Sequence, residues 1–142
     1  MKFADTGWWV AWALPGDGRH ADALGMLARV GRSEQVLTTN FVAGETWTFL
    51  RRKDGHRTAL AFLERLETLT GAERLVVHRV TEEQELGAWD WLRRHDEREY
   101  SFVDATSFRV MRDRRLREAL AFDQDFAAAG FIEVQTDPRR DF

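Results

Sequence analysis

Short apolar runs alternate with amphipathic helical patterns along most of the chain. Compact apolar runs at 2–4, 36–39, 75–80, 119–122 and 131–134 predict strands. Between them, apolar residues recur at helical spacing over 8–14, 19–30, 41–50, 56–69, 82–96 and 102–112. This alternation predicts an α/β fold around a mainly parallel sheet.

Turn and capping residues mark several helix boundaries. The segment 15–18 (Pro-Gly-Asp-Gly) should break the first helix. We expect Asn40 to cap the helix over 41–50, and Ser101 to cap the helix that carries Asp104. Thr81 followed by Gln84 matches the capping-box pattern, so a further helix should begin there.

Composition narrows the class of protein. A chain of 142 residues, 44% of them hydrophobic, is about one domain's worth, so we expect a single domain over 1–142 with a short tail from about 136. It has no cysteine, which removes disulfides and cysteine-ligated zinc. Asp5 interrupts the N-terminus before any apolar segment, so we expect no signal peptide, no membrane association and a cytoplasmic location.

Four acidic residues interrupt apolar sequence. Asp5 and Asp123 end predicted strands, whereas Glu45 and Asp104 fall in the first turns of predicted helices. In open parallel sheets, ligands bind where the carboxyl ends of the strands meet. The predicted topology can therefore bring all four carboxylates to one edge of the sheet.

Converging carboxylates raise one another's pKa unless a multivalent cation compensates their charge. Ligation by oxygen alone suits Mg²⁺ or Mn²⁺. Such a site matches metal-assisted hydrolysis of a phosphodiester, in which a metal lowers the pKa of the attacking water.

Each acid also has a purely structural interpretation. Asp5 could cap a helix, Asp104 could favour a helix N-terminus through the helix dipole, and Asp123 could be a turn residue. Glu45 is harder to explain in this way, because it lies among apolar residues where a solvated helix face is not expected. Pairing with an arginine remains open for Glu45.

Four stretches together carry a family resemblance, and they are "FADTGWWVAWALPGDGRHADAL", "LTTNFVAGETWTFL", "YSFVDATSFRVM" and "ALAFDQDFAAAGF". The chain resembles the PIN-domain ribonucleases over nearly its whole length, and specifically the VapC toxins of bacterial toxin–antitoxin pairs. The resemblance implies a PIN-like fold, with four to five strands and helices on both sides of the sheet. It also implies a divalent-metal endoribonuclease that cuts tRNA or rRNA loops and inhibits translation.

The resemblance assigns roles to individual residues. The implied metal ligands are Asp5, Glu45, Asp104 and Asp123, and Asp125 could share or replace the role of Asp123. The implied polar supports are Thr6 and Ser107. The implied partners are RNA, a second copy of the chain in a homodimer, and a cognate VapB-type antitoxin whose C-terminal segment blocks the groove of the dimer.

Arginines cluster locally despite the net charge of −3. A solvated helix face is the simpler interpretation of each cluster. The alternative is that arginines flanking the acidic site bind RNA phosphates, and the candidates are Arg93, Arg94 and Arg112.

Two other functions compete. The tripeptide 5–7 (Asp-Thr-Gly) matches the active-site step of dimeric aspartic proteases, but those enzymes place it in an all-β fold. A non-catalytic interaction protein would use the six tryptophans and the arginine clusters to bind a protein partner.

Overall fold

The computed structural model describes residues 1–136. All but the first residue of the predicted C-terminal tail therefore lies outside the described residues. The strands are β1 (Lys2–Ala4), β2 (Val36–Thr39), β3 (Leu75–His78), β4 (Glu118–Leu120) and β5 (Ile132–Glu133). The helices are α1 (Thr6–Ala13), α2 (His20–Leu27), α3 (Asn40–Asp54), α4 (His56–Gly71), α5 (Glu82–Arg94), α6 (Phe102–Asp113) and α7 (Asp125–Ala128).

The five strands form one sheet in the order β3-β2-β1-β4-β5, and every neighbouring pair is parallel. From β1 the chain moves outward through β2 to β3, then crosses back to β4 on the other side of β1. Because crossovers between parallel strands are right-handed, this reversal places the first four helices on one face and the later ones on the other. The strand order reverses between β1 and β4, where a ligand crevice is expected.

The core lies between the sheet and both helical layers. Phe3 of β1 and Leu37 of β2 are fully buried at its centre. Three tryptophans of α1 pack between the sheet and the layer of the first four helices. Trp8, Trp9 and Trp12 are each less than 10% exposed, and their rings contact one another edge-on or stacked. Trp89 of α5, by contrast, is 43% exposed.

Several boundaries differ from those predicted. The cap of α3 is Thr39, whose hydroxyl accepts a hydrogen bond from the backbone N–H of Val42. Asn40, predicted to be that cap, is the first helical residue, and its Oδ1 accepts a hydrogen bond from the backbone of Val80 at 2.9 Å. The last ladder pair of β2 and β3 is Thr39 with His78, where β2 ends, so β3 also ends at His78 and Val80, at the end of the predicted strand, lies beyond it.

The predicted caps at Thr81 and Ser101 both form complete capping boxes. None of the helices in the described part of the chain is long and apolar enough to cross a membrane.

Candidate metal centre

Three of the predicted acids meet at the crevice between β1 and β4. Asp5 directly follows β1, Asp104 lies in the first turn of α6, and Asp123 follows β4. One carboxylate oxygen from each lies within 4.8 Å of the others. Residues far apart in sequence thus present three oxygen ligands to one point.

The backbone at the end of β1 positions Asp5. Its N–H donates to the carbonyl of Leu120 in β4 at 3.1 Å, which fixes it at the junction of the two strands. Asp5 occupies the N-cap position of α1, yet its side chain makes no capping hydrogen bond within residues 1–136. The capping interpretation therefore does not account for this carboxylate, which is only 4% exposed.

The capping box of α6 positions Asp104. The Ser101 hydroxyl accepts from the Asp104 backbone at 2.9 Å, and Oδ2 of Asp104 accepts from the Ser101 backbone at 3.1 Å. One oxygen of Asp104 therefore has the structural role at a helix start that was considered for this residue. Because a carboxylate has two oxygens, the other remains available to the acidic cluster.

A turn of unusual backbone geometry positions Asp123. The next residue, Gln124, adopts the left-handed conformation with φ of 65°. The Asp125 backbone N–H donates to Oδ1 of Asp123 at 3.2 Å. Unlike Asp5 and Asp104, Asp123 is exposed.

The electrostatics of the cluster favour protonation in the metal-free protein. Burial, and then the negative charges of Asp104 and Asp123, raise the pKa of Asp5 well above its ordinary value. Burial likewise raises the pKa of Asp104, and hydrogen bonds from Ser101 partly offset it. The pKa of Asp123 rises to about 6, mainly through partial burial and the charge of Asp125.

The residues present fit a hard divalent cation. Carboxylate oxygens are the ligands that Mg²⁺ and Mn²⁺ prefer, and a cation would offset the mutual repulsion of the cluster. The hydroxyl of Thr6, next to Asp5, is buried and has no hydrogen-bond partner among residues 1–136. A buried hydroxyl rarely lacks a partner, so water or an ion is expected beside it.

Two predicted acids lie outside this group of three. Glu45 is exposed on α3 and lines an open groove with Phe41 and Phe49, so the expectation that it avoids a solvated face is wrong. Its charge nevertheless contributes to the raised pKa of Asp5. Asp125 forms an ion pair with Arg98 at 2.9 Å, which occupies its carboxylate.

Of the two predicted polar supports, Thr6 has the buried hydroxyl described above, whereas Ser107, like its neighbour Thr106, is hydrogen-bonded within α6. Ser107 is fully buried, and its hydroxyl donates to the backbone carbonyl of Val103 at 2.8 Å. Thr106 donates to the same carbonyl at 2.8 Å. Both hydroxyls keep their lone pairs as acceptors, so neither is excluded from hydrogen bonding near the site.

The candidate arginines mostly contact the protein itself. Arg93 pairs with Asp90 on the exposed surface of α5, and Arg94 donates to the Asp90 carbonyl at 3.3 Å. Arg112 lies over the rings of Trp91 and Phe131, about 12 Å further along α6 than Asp104. Their role in RNA binding remains a prediction.

The structure adds two charged residues that sequence reasoning did not assign to the site. Arg98 donates to Oδ1 of Asp125 and to the Asp123 carbonyl. Glu133 accepts hydrogen bonds from the backbone of Gln124 and Ala127. Arg98 has a sequence signal only as a member of an arginine cluster, and Glu133 has none, because its partners are set by the pairing of β4 and β5.

Comparison with known proteins identifies relatives along nearly the whole chain. The family model described as "PIN domain" matches residues 2–132. The protein named 23S rRNA-specific endonuclease VapC20, from Mycobacterium tuberculosis, is 51% identical over 136 residues, which cover 95% of this chain and 98% of that protein.

Solved structures agree with the fold. The crystal structure of Mycobacterium tuberculosis VapC20, described as a sarcin-ricin loop cleaving toxin, matches with a TM-score of 0.86 at 48% identity. It covers 95% of this chain and 99% of that one. FitAcB from Neisseria gonorrhoeae matches with a TM-score of 0.68 at 16% identity, covering 95% and 97%, which supports the fold alone.

Proposed function

The chain belongs to the PIN-domain family, and on that premise we propose that it is a toxin endoribonuclease that hydrolyses phosphodiester bonds in RNA with a divalent metal. The observation that carries the proposal is the meeting of Asp5, Asp104 and Asp123 at the reversal of strand order. The parallel α/β sheet also removes the aspartic-protease alternative, which requires an all-β fold.

Asp5, Asp104 and Asp123 hold the metal in this proposal, and Mg²⁺ is the expected ion, with Mn²⁺ as the alternative. A bound divalent cation supplies an activated water and neutralises charge that develops on the phosphate. The water oxygen forms a bond to phosphorus as one P–O ester bond breaks. The water loses a proton and the leaving oxygen gains one.

Glu45 is the remaining predicted ligand. It lies on the open groove beside the cluster, together with Arg52 and Lys53. We propose that Glu45 binds the metal from the groove side, either directly or through a water molecule. The groove has both cationic and apolar lining residues, which suits a single-stranded segment of RNA.

We propose that the substrate is a loop of ribosomal RNA. The support is the 51% identity to a protein named as a 23S rRNA-specific endonuclease. The experiment is to incubate the purified protein with ribosomes and with total tRNA, and to map new RNA ends. We expect one main cut in 23S rRNA, lost on chelation and restored by Mg²⁺.

Asp104→Asn is the matched control, because it preserves shape while removing a charged oxygen. We expect it to lower cleavage by about a thousandfold, since a bound metal contributes several kcal/mol of transition-state stabilisation. Undiminished cleavage by this variant would refute the metal site. Cuts confined to tRNA would refute the substrate while leaving the nuclease intact.

We also propose two protein partners. An antitoxin is inferred from the toxin name of the relative.

A second copy of the chain is inferred from an aromatic face on α3, α5 and α6, where Phe102 packs against Phe41 and Trp89. Trp89 and Leu86 of α5 are 43% and 55% exposed there. Sedimentation equilibrium of the wild type and of Trp89→Glu tests the dimer, which the charge should dissociate.

A further inference from the structure

Glu133 binds the backbone of the turn that carries Asp123. Its Oε1 accepts from the N–H of Gln124 at 3.2 Å, and its Oε2 accepts from the N–H of Ala127 at 3.0 Å. Glu133 belongs to β5, which is the edge strand and pairs with β4. One carboxylate therefore fastens the turn after β4 to the neighbouring strand.

Arg98 binds the same turn from the segment between α5 and α6. Its Nε donates to Oδ1 of Asp125 at 3.0 Å, and its Nη2 donates to the Asp123 carbonyl at 3.4 Å. The Asp125 backbone in turn donates to Oδ1 of Asp123. The ion pair thus holds the residue whose N–H orients the Asp123 carboxylate.

The turn has little regular structure of its own to fix this geometry. β4 ends at Leu120, and α7 has only four residues. Gln124 adopts a left-handed conformation that residues with a Cβ atom disfavour. Such a conformation persists when surrounding contacts over-determine it, and the two charged contacts supply that restraint.

We propose that Glu133 and the Arg98–Asp125 pair are positioning residues that keep Asp123 at ligand distance from Asp5 and Asp104. The inference rests on the proposed function, because it takes Asp123 as a metal ligand. It gives Asp125 a supporting role in place of direct ligation. Outer partners that orient a ligand typically change metal affinity by 10–100-fold when removed.

The test measures Mn²⁺ binding to the purified, metal-free protein by isothermal titration calorimetry. Glu133→Ala and Glu133→Gln remove the same charge, but glutamine keeps one oxygen that can accept a backbone hydrogen bond. We expect Glu133→Ala to bind Mn²⁺ at least tenfold more weakly than the wild type, with Glu133→Gln between them. Equal affinities of the two variants would mean that charge alone acts, and would overturn the inference.

In Arg98→Gln, the direction of the change in Mn²⁺ affinity tells whether Arg98 acts by positioning Asp123 or only through its charge. Loss of a cation beside the acids should strengthen Mn²⁺ binding if only charge matters. Loss of positioning should weaken it, and weakening is the expected result. Stronger binding would overturn the role of the ion pair.

Hydrogen exchange in metal-free buffer gives a second readout. We expect faster exchange of the Gln124 and Ala127 amides in Glu133→Ala, and no change at Asp104 in α6. Unchanged protection of both amides would overturn the inference.

Asp123→Asn distinguishes this inference from the proposed function. If Asp123→Asn binds Mn²⁺ as tightly as the wild type, the ligand assignment itself fails. If it loses binding while Glu133→Ala keeps it, the ligand assignment stands and the positioning role alone is overturned.

Discussion

The two sides of the acidic cluster are built differently. Asp5 and Asp104 are buried, and regular elements set their positions through the β1–β4 junction and the capping box of α6. Asp123 is exposed, and it lies on a left-handed turn bound by the charged side chains of Arg98 and Glu133.

This difference separates two physical costs. Burying a carboxylate raises the free energy of its charged form. Asp5 and Asp104, the inner side of the cluster, are therefore held firmly in place, but their charged forms are unfavourable without a cation. Asp123, on the outer side, is more exposed, so it pays less of that cost even though partial burial still raises its pKa to about 6, and its position must be fixed by other contacts. The outer side is therefore open to substrate, and its geometry depends on side chains remote from the reaction.

The affinity for metal should depend on pH, and this is the largest effect expected from the difference between the two sides of the cluster. Ligands bind metal only when deprotonated, and the pKa of Asp5 is raised well above its ordinary value while that of Asp123 is about 6. Affinity therefore falls as the pH is lowered and protons compete for these carboxylates. Lowering the pH from about 7.5 to 5.5 should weaken Mn²⁺ binding by roughly fourfold through Asp123 alone, and by more because Asp5 must also lose its proton.

Calorimetry in two buffers of different ionisation enthalpy measures the protons released on binding. More protons should be released at pH 6 than at pH 8, because more of the cluster is then protonated. An affinity and proton count that do not change with pH would mean that the inner carboxylates are already charged in the metal-free protein.

Much of the inner side could be predicted from the sequence. Asp5 ends an apolar strand pattern, and Ser101 with Asp104 marks a helix start, so local signals place both residues within a position or two. The parallel sheet then brings strand ends to one edge, which the pairing of β1 with β4 bears out.

The outer side could not be predicted in the same way. The hydrogen bonds of Glu133 depend on how β5 pairs with β4, and the partner of Asp125 comes from another segment. Neither contact has a local pattern. The expectation that Glu45 avoids solvent was wrong for another reason, because its apolar neighbours on α3 suggested burial, whereas its own face of the helix is exposed.

Removing the buried charge should stabilise the metal-free protein. We expect Asp5→Asn to raise the free energy of unfolding by about 2 kcal/mol in chelator at pH 7, because the amide is neutral and needs less hydration. The raised pKa of Asp5 means that the wild type loses stability as pH rises above about 4, where the unfolded state ionises first. Denaturant titration at pH 7 and at pH 3.5 measures both values.

Three results check the cause of that gain. At pH 3.5 the advantage of Asp5→Asn should largely disappear, since the wild-type carboxyl is then neutral in the folded state and mostly neutral in the unfolded state. Asp123→Asn should gain less at pH 7, because Asp123 is only partly buried whereas Asp5 is almost fully buried. Saturating Mg²⁺ should reverse the order of Asp5→Asn and the wild type. Equal gains for the two variants would remove the distinction between the inner and outer sides.

The smallest effect concerns the left-handed turn itself. Gln124→Gly relieves the strain of a side chain at φ of 65°, but it also makes the unfolded chain more flexible. The two effects nearly cancel, so we expect a gain in stability of about 0.5 kcal/mol. Glu73 and Arg115 have φ of 58° and 57° and lie in other turns, so Glu73→Gly and Arg115→Gly are matched controls.

All three glycine variants should change stability by similar amounts in denaturant titrations without metal. Only Gln124→Gly should also weaken Mn²⁺ binding, by about twofold to threefold, because a glycine turn samples conformations in which Asp123 points away from Asp5. Since Glu133 and Arg98 still bind the turn, the loss should stay well below that of Glu133→Ala. If Mn²⁺ affinity falls equally in all three variants, the rigidity of the Asp123 turn has no special part in holding the metal.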